Sequence, residues 1–68
     1  MRKKLSIVTV VYNGERFIEN AINSVISQKN EQVEYIIVDG GSTDSTLNII
    51  EKYKNKIDIF ISEKDKGI

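Results

Sequence analysis

Apolar residues recur along this chain at two spacings, one suited to strands and one to helices. "LSIVTVV" (Leu5–Val11) is β-branched and almost continuously apolar, the pattern of a strand covered on both faces of a parallel sheet. Asn13 and Gly14 interrupt it, and Asn13 is a candidate N-cap for a following helix. Phe17, Ile18, Ala21, Ile22, Val25 and Ile26 then fall at i, i+1, i+4, i+5, i+8 and i+9. That spacing predicts an amphipathic helix ending near Gln28. "VEYIIVD" (Val33–Asp39) reads as a second buried strand, and Leu47, Ile50 and Tyr53 mark the inner face of a second helix. "KNK" ends that helix, and "IDIFIS" (Ile57–Ser62) alternates as a third strand with one drier face.

The order βαβαβ with short connections predicts an α/β fold with a parallel sheet and right-handed crossovers. Consecutive strands then lie side by side in the order 3-2-1. The alternation of the third strand suits an edge. The first strand reads as central, yet these residues leave one of its edges without a partner, and an uncovered apolar edge invites aggregation. The expectation is that residues 1–68 form the N-terminal portion of a larger α/β domain.

Composition narrows the chemistry. The chain has 68 residues, and a lone domain of that size buries only about 60% of the surface of its unfolded chain. Apolar residues make up 40% and charged residues 29%, a globular balance that argues against disorder. Ten basic and ten acidic residues cancel, which removes the electrostatic reason to expect nucleic acid or an anionic membrane as the main partner. With no cysteine, disulfides and thiolate metal sites are excluded. With no histidine, acid–base chemistry falls to carboxylates, lysine or tyrosine. The opening "MRKKLSIVTVVYNGE" imitates a signal peptide, but its apolar run is short, contains Ser6 and Thr9, and leads into "YNGE" rather than small residues. No run approaches the length of a membrane span, so the expected location is cytoplasmic.

Ligands of open parallel sheets bind beyond the carboxyl ends of the strands, and three loops lie there: "YNGE", "DGGSTD" and "SEKDKGI". In the second, Gly40 and Gly41 permit positive φ or close approach of a ligand. Ser42, Thr43 and Asp44 are candidate N-caps at a helix start that favours anions. Local composition alone favours a capped strand-to-helix turn. Asp39 is harder to explain that way, because an acid ending a buried strand can accept hydrogen bonds from a ribose or a base N–H. Tyr12 ends the neighbouring strand; alone it is equally a rim aromatic covering the helix. Together the two describe a nucleoside slot, a stacking face beside an acceptor. A dinucleotide site needs G-x-G-x-x-G after the first strand, and "YNGERF" has one glycine; a Walker A loop is also absent. Glu63 and Asp65 are spaced to offer carboxylates to a hard cation, but alternating Lys64 and Lys66 favour a solvated loop.

"LSIVTVVYNGERFIENAINSVISQ", "EYIIVDGGSTDSTLNIIEKY" and "IDIFISEKDKGI", in order and in register, resemble the start of family 2 glycosyltransferases with the GT-A fold. More narrowly they resemble a bacterial branch carrying "DGGSTD" and "SE-x-DKGI". The resemblance covers essentially the whole chain after Lys4. It implies a three-layer βαβαβ half of a GT-A, Rossmann-like domain that binds the nucleotide of a nucleotide-diphosphate sugar. Carried over by position, Tyr12 flanks the base, the backbone of Thr9 and Val10 lines the slot, Asp39 hydrogen-bonds the base or ribose, and the Asp65 loop closes over the nucleoside. Two positions depart from many family members. Gly40 and Gly41 follow Asp39, so a second acid that contacts the base is replaced by Gly40. Gly14 stands where relatives carry an acid, which Glu15 is expected to replace.

The resemblance further implies an inverting transfer to a glycan or lipid-linked acceptor in bacterial surface polysaccharide synthesis, at the inner face of the membrane. The expected donor is a UDP-sugar ahead of GDP- or dTDP-sugars. The family's Mg²⁺- or Mn²⁺-holding D-x-D motif and its general base are expected beyond these 68 residues, so no catalytic or metal residue is assigned and the fragment alone is expected to be inactive. The competing readings are a non-catalytic remnant, another doubly wound nucleotide binder, and an aspartate phosphoacceptor domain. The lack of companion acids after the first strand counts against the last.

Overall fold

The computed structural model describes residues 5–63. Three strands, β1 (Leu5–Val11), β2 (Val33–Asp39) and β3 (Ile59–Ser62), alternate with helices α1 (Ile18–Ile26) and α2 (Thr46–Lys52), and a 3₁₀ turn (Lys54–Lys56) precedes β3. All pairing is parallel, in the order β1-β2-β3, which is the expected 3-2-1 order read from the opposite edge. The register sets Val11 against Asp39 and Asp39 against Ser62. The carboxyl ends of all three strands are therefore level, and the loops that leave them share one rim.

Two right-handed crossovers stepping in the same direction carry both helices to the same face of the sheet. That face holds the core: Val11, Tyr35 and Ile37 from the sheet meet Ile18, Ile22 and Ile50 from the helices. Each fully buried side chain of this kind contributes about 1.5–3 kcal/mol relative to exposure. β2 runs through the middle, with Val33, Tyr35, Ile37 and Asp39 buried on the helix side and Ile36 and Val38 half-buried on the other.

The double covering expected of β1 is not found. Its alternate residues Val8 and Val10 are exposed, Val10 by 74%, because the described residues place no element on that side. They form two layers, and the third layer of the expected architecture has no counterpart among them. Ile59 and Ile61 of β3 are exposed too, so the drier face of that strand is not buried here.

Three local expectations are corrected. Asn13 does not cap α1: the carbonyl of Gly14 accepts the N–H groups of Phe17 (3.0 Å) and Ile18 (2.8 Å) and starts the helix. The second helix turns a different stripe inward. Thr46 and Ile50 are buried, Ile49 and Tyr53 pack against the core, and Leu47 is 36% exposed. β3 begins two residues late because Asp58 supplies its own ladder. The Asp58 N–H donates to the Tyr35 carbonyl at 3.0 Å, and the Tyr35 N–H donates to Asp58 Oδ2 at 2.7 Å. Lys29 pairs with the same carboxylate at 3.1 Å.

Candidate functional site

Asp39 is the hub of the rim. Although only 1% exposed, its carboxylate accepts four hydrogen bonds. The Ser42 hydroxyl donates to Oδ1, while Oδ2 receives the amides of Gly41 and Ser42, each at 2.9 Å, and the Ser62 hydroxyl at 3.0 Å. The Asp39 carbonyl also takes the Glu63 N–H at 3.0 Å. Burial pushes the carboxyl pKa up, but the Ser42 hydroxyl, the two amides and the Ser62 hydroxyl outweigh it and hold Asp39 below the usual carboxylate range. The acid is thus ionised and bonded into its own turn. Gly41 sits at φ 93°, a conformation in which a side chain would clash with the backbone.

Tyr12 is 61% exposed and lies beside Gly40, where an added Cβ would stand 3.7 Å from Tyr12 Cδ1. The Gly40 N–H donates to the Val11 carbonyl at 2.9 Å, extending the β1–β2 ladder one step past the strands. The rim therefore presents an aromatic ring next to a position with no side chain.

Five hydrogen bonds of 3.3 Å or shorter sew the β1–α1 loop to the β2–α2 loop. Asn13 N donates to Ser42 Oγ (2.8 Å) and Thr43 N to Asn13 Oδ1 (2.7 Å). Gly14 N donates to Thr46 Oγ1 (2.8 Å). Glu15 N donates to Asp44 Oδ2 (3.3 Å) and Ser45 N to Glu15 Oε1 (2.9 Å). Asp44 Oδ1 also accepts the Thr46 N–H at 2.9 Å. Of the three candidate caps, only Asp44 therefore serves the start of α2, and Glu15 serves it from the other loop. Desolvation raises the Asp44 pKa, and hydrogen bonds from Thr46 and Glu15 more than offset it, so the net shift is downward.

The structure brings Tyr12, Glu15, Asp39, Gly40 and Gly41 to this rim. Thr9 and Val10 lie just inside it with side chains on opposite faces. Thr9 Oγ1 is hydrogen-bonded to the Tyr35 hydroxyl at 2.8 Å, whereas Val10 faces the open side. Asp65 lies outside the described residues. Sequence reasoning missed the roles of Asn13, Ser42, Thr46 and Ser62. The available signal was the density of Asn, Ser and Thr at strand ends, residues whose short side chains bond nearby backbone; their partners in another loop were not legible.

Among the described residues no group of three or more His, Cys, Asp or Glu gathers as metal ligands, and Glu15, Asp39 and Asp44 already accept N–H or O–H donors. The described residues therefore do not fit a divalent cation site. A shallow depression of about 250 Å³ is lined by Ile26, Lys29, Asn30, Glu31 and Lys56. It lies near the amino end of β2, away from the rim where parallel sheets bind ligands. No helix among the described residues is long and apolar enough to cross a membrane.

Comparison with known proteins gives a consistent result. The family described as "Glycosyl transferase family 2" matches residues 6–68. The chain is 39% identical over 62 residues to the poly(ribitol-phosphate) beta-N-acetylglucosaminyltransferase TarS of Staphylococcus aureus, covering 88% of this chain and 11% of that protein. It is 46% identical over 55 residues to the poly(ribitol-phosphate) beta-glucosyltransferase of Bacillus spizizenii, covering 78% and 9%. The crystal structure of residues 1–349 of S. aureus TarS in complex with UDP matches with a TM-score of 0.75 and 35% identity, over 93% of this chain and 19% of that one. The chain thus spans about a tenth of the length of these two curated relatives.

Proposed function

The chain belongs to glycosyl transferase family 2, and on that premise we propose that it forms the nucleotide-holding portion of a sugar transferase whose donor is a nucleotide-diphosphate sugar, UDP-linked in preference to GDP- or dTDP-linked. The observation that carries this reading is the likeness, over 93% of the chain, to a glycosyltransferase structure with UDP bound. The rim geometry supports it. Tyr12 offers a ring face for the base, the backbone of Thr9 and Val10 on the edge strand β1 leads up to it, and Gly40 leaves the ring's flank open. Asp39 acts through the turn it organises, holding Gly40 and Gly41 in place. Ser62, at the end of β3, donates to the same carboxylate.

We further assign the whole protein an inverting transfer to a glycan or lipid-linked acceptor in the synthesis of a bacterial surface polymer, in line with the activities named for its relatives. The divalent cation and general base of such a reaction find no ligand set or candidate among the described residues, and we assign them to the rest of the longer protein. What this chain's own residues do is bind and orient the nucleoside.

The test is an NMR titration of the full-length protein with UDP. The amide signals of Tyr12 and Gly40 should shift, and Tyr12→Ala should weaken binding by about 5- to 150-fold, the worth of stacking a base on an aromatic ring. Saturating UDP that moves neither signal would refute the slot. A full-length protein that binds no nucleotide would instead support the non-catalytic alternative.

A further inference from the structure

Tyr12 stands outside the buried core. Its side chain is exposed, so its position depends on the backbone that carries it, and that backbone turns sharply at the next residue. Asn13 has φ 50°, in the left-handed region that asparagine tolerates better than other residues with side chains. From there it engages the opposite loop twice. Its N–H donates to Ser42 Oγ at 2.8 Å, and its Oδ1 accepts the Thr43 N–H at 2.7 Å. Ser42 Oγ in turn donates to Asp39 Oδ1. A continuous path therefore runs from the residue after Tyr12 to the carboxylate that shapes the Gly40–Ser42 turn. Glu15 repeats the reciprocal pattern two residues on, giving its N–H to Asp44 and accepting that of Ser45.

We propose that Asn13 is a positioning residue for the nucleotide site: its Oδ1 and left-handed backbone lock the two loops into one plate, so that the Tyr12 ring stands beside Gly40 before ligand arrives. This rests on the reading of Tyr12 as the base-stacking residue. The physical content is preorganisation, since a ring that is already placed loses little freedom when the base docks. The assignment separates two features that a single substitution to alanine would confuse. Glycine at 13 keeps the left-handed backbone without strain and removes the acceptor. Aspartate keeps an oxygen at the same place.

The experiment is a double-mutant cycle in the full-length protein, with UDP affinity read by NMR titration well below the melting temperature. Asn13→Gly should weaken UDP binding by about 3- to 10-fold, the scale of one lost hydrogen bond. In the Tyr12→Ala background the same change should weaken it by less than about 2-fold, because no ring remains to be placed. Asn13→Asp, tested with uridine so that the added charge meets no phosphate, should bind within about 2-fold of wild type. An equal loss from Asn13→Gly with and without the Tyr12 ring overturns the proposal, because Asn13 then acts independently of Tyr12. Wild-type affinity for Asn13→Gly overturns it as well. Absence of UDP binding by the wild-type protein would instead defeat the nucleotide-site reading, and this proposal with it.

Discussion

Replacing Asp39 by alanine removes the acceptor of four hydrogen bonds at once. The consequence is unequal among the donors. Ser62 is exposed and Gly41 half-buried, so their groups can turn to water. Ser42 is buried, and its N–H and hydroxyl would lose their acceptor in the interior. Each stranded donor costs about 1–3 kcal/mol, so the turn should lose about 2–6 kcal/mol. Asparagine keeps the shape but loses charge assistance, and should fall between alanine and wild type. Because the loss falls on one turn, the useful assay is local: hydrogen exchange of the Gly41 and Ser42 amides. Loss of about 2 kcal/mol or more speeds their opening-limited exchange about 30-fold at least, while the core amides of Ile22 and Ile37 stay protected. Acid should reproduce the effect. The folded pKa of Asp39 lies below the ordinary value, so its stabilisation is complete above about pH 4 and disappears as pH falls through the lowered value. The Asp39→Asn variant should show no such acid step. Unchanged protection of Gly41 and Ser42 in Asp39→Ala, with the core intact, would refute the hub assignment.

Further substitutions test the packing beneath the rim. Gly14→Ala would place a Cβ 2.5 Å from Phe17 Cζ and 2.7 Å from Val11 Cγ2. The exposed Phe17 ring can swing away but buried, β-branched Val11 cannot, so a loss of about 1–3 kcal/mol is expected. Adding Phe17→Ala should not restore the melting temperature; full restoration would show that Val11 gives way. Ile22→Ala empties a fully buried position and should cost about 2–5 kcal/mol, whereas Leu47→Ala should cost less than about 1 kcal/mol. Equal losses in urea melts would mean that α2 turns a different stripe inward.

Much of the frame was readable in the residues. The apolar runs predicted β1 and β2 with the limits the structure shows, and the βαβαβ order implied parallel pairing. The failures have distinct causes. Helical spacing puts Leu47 inside, but the buried stripe of α2 is centred on Thr46 and Ile50. A threonine whose hydroxyl accepts the Gly14 N–H is not visible to a count of apolar residues. Asparagine before a helix usually caps it, which makes Asn13 look like a cap. Its partner instead lies 30 residues away in the sequence.

Periodicity and connectivity alone carry the strand order and the meeting of Tyr12, Glu15, Asp39, Gly40 and Gly41 at one rim, because they act locally or follow from chain order. The tertiary structure decided what those residues do to one another. The register levels Val11, Asp39 and Ser62. That levelling turns an acid that looked free to meet a nucleoside into a buried carboxylate with four donors of its own. It also turns Asn13 from a cap into a bridge between loops. A hydrogen bond needs its partner within about 3 Å, and only the folded sheet brings these strand ends that close.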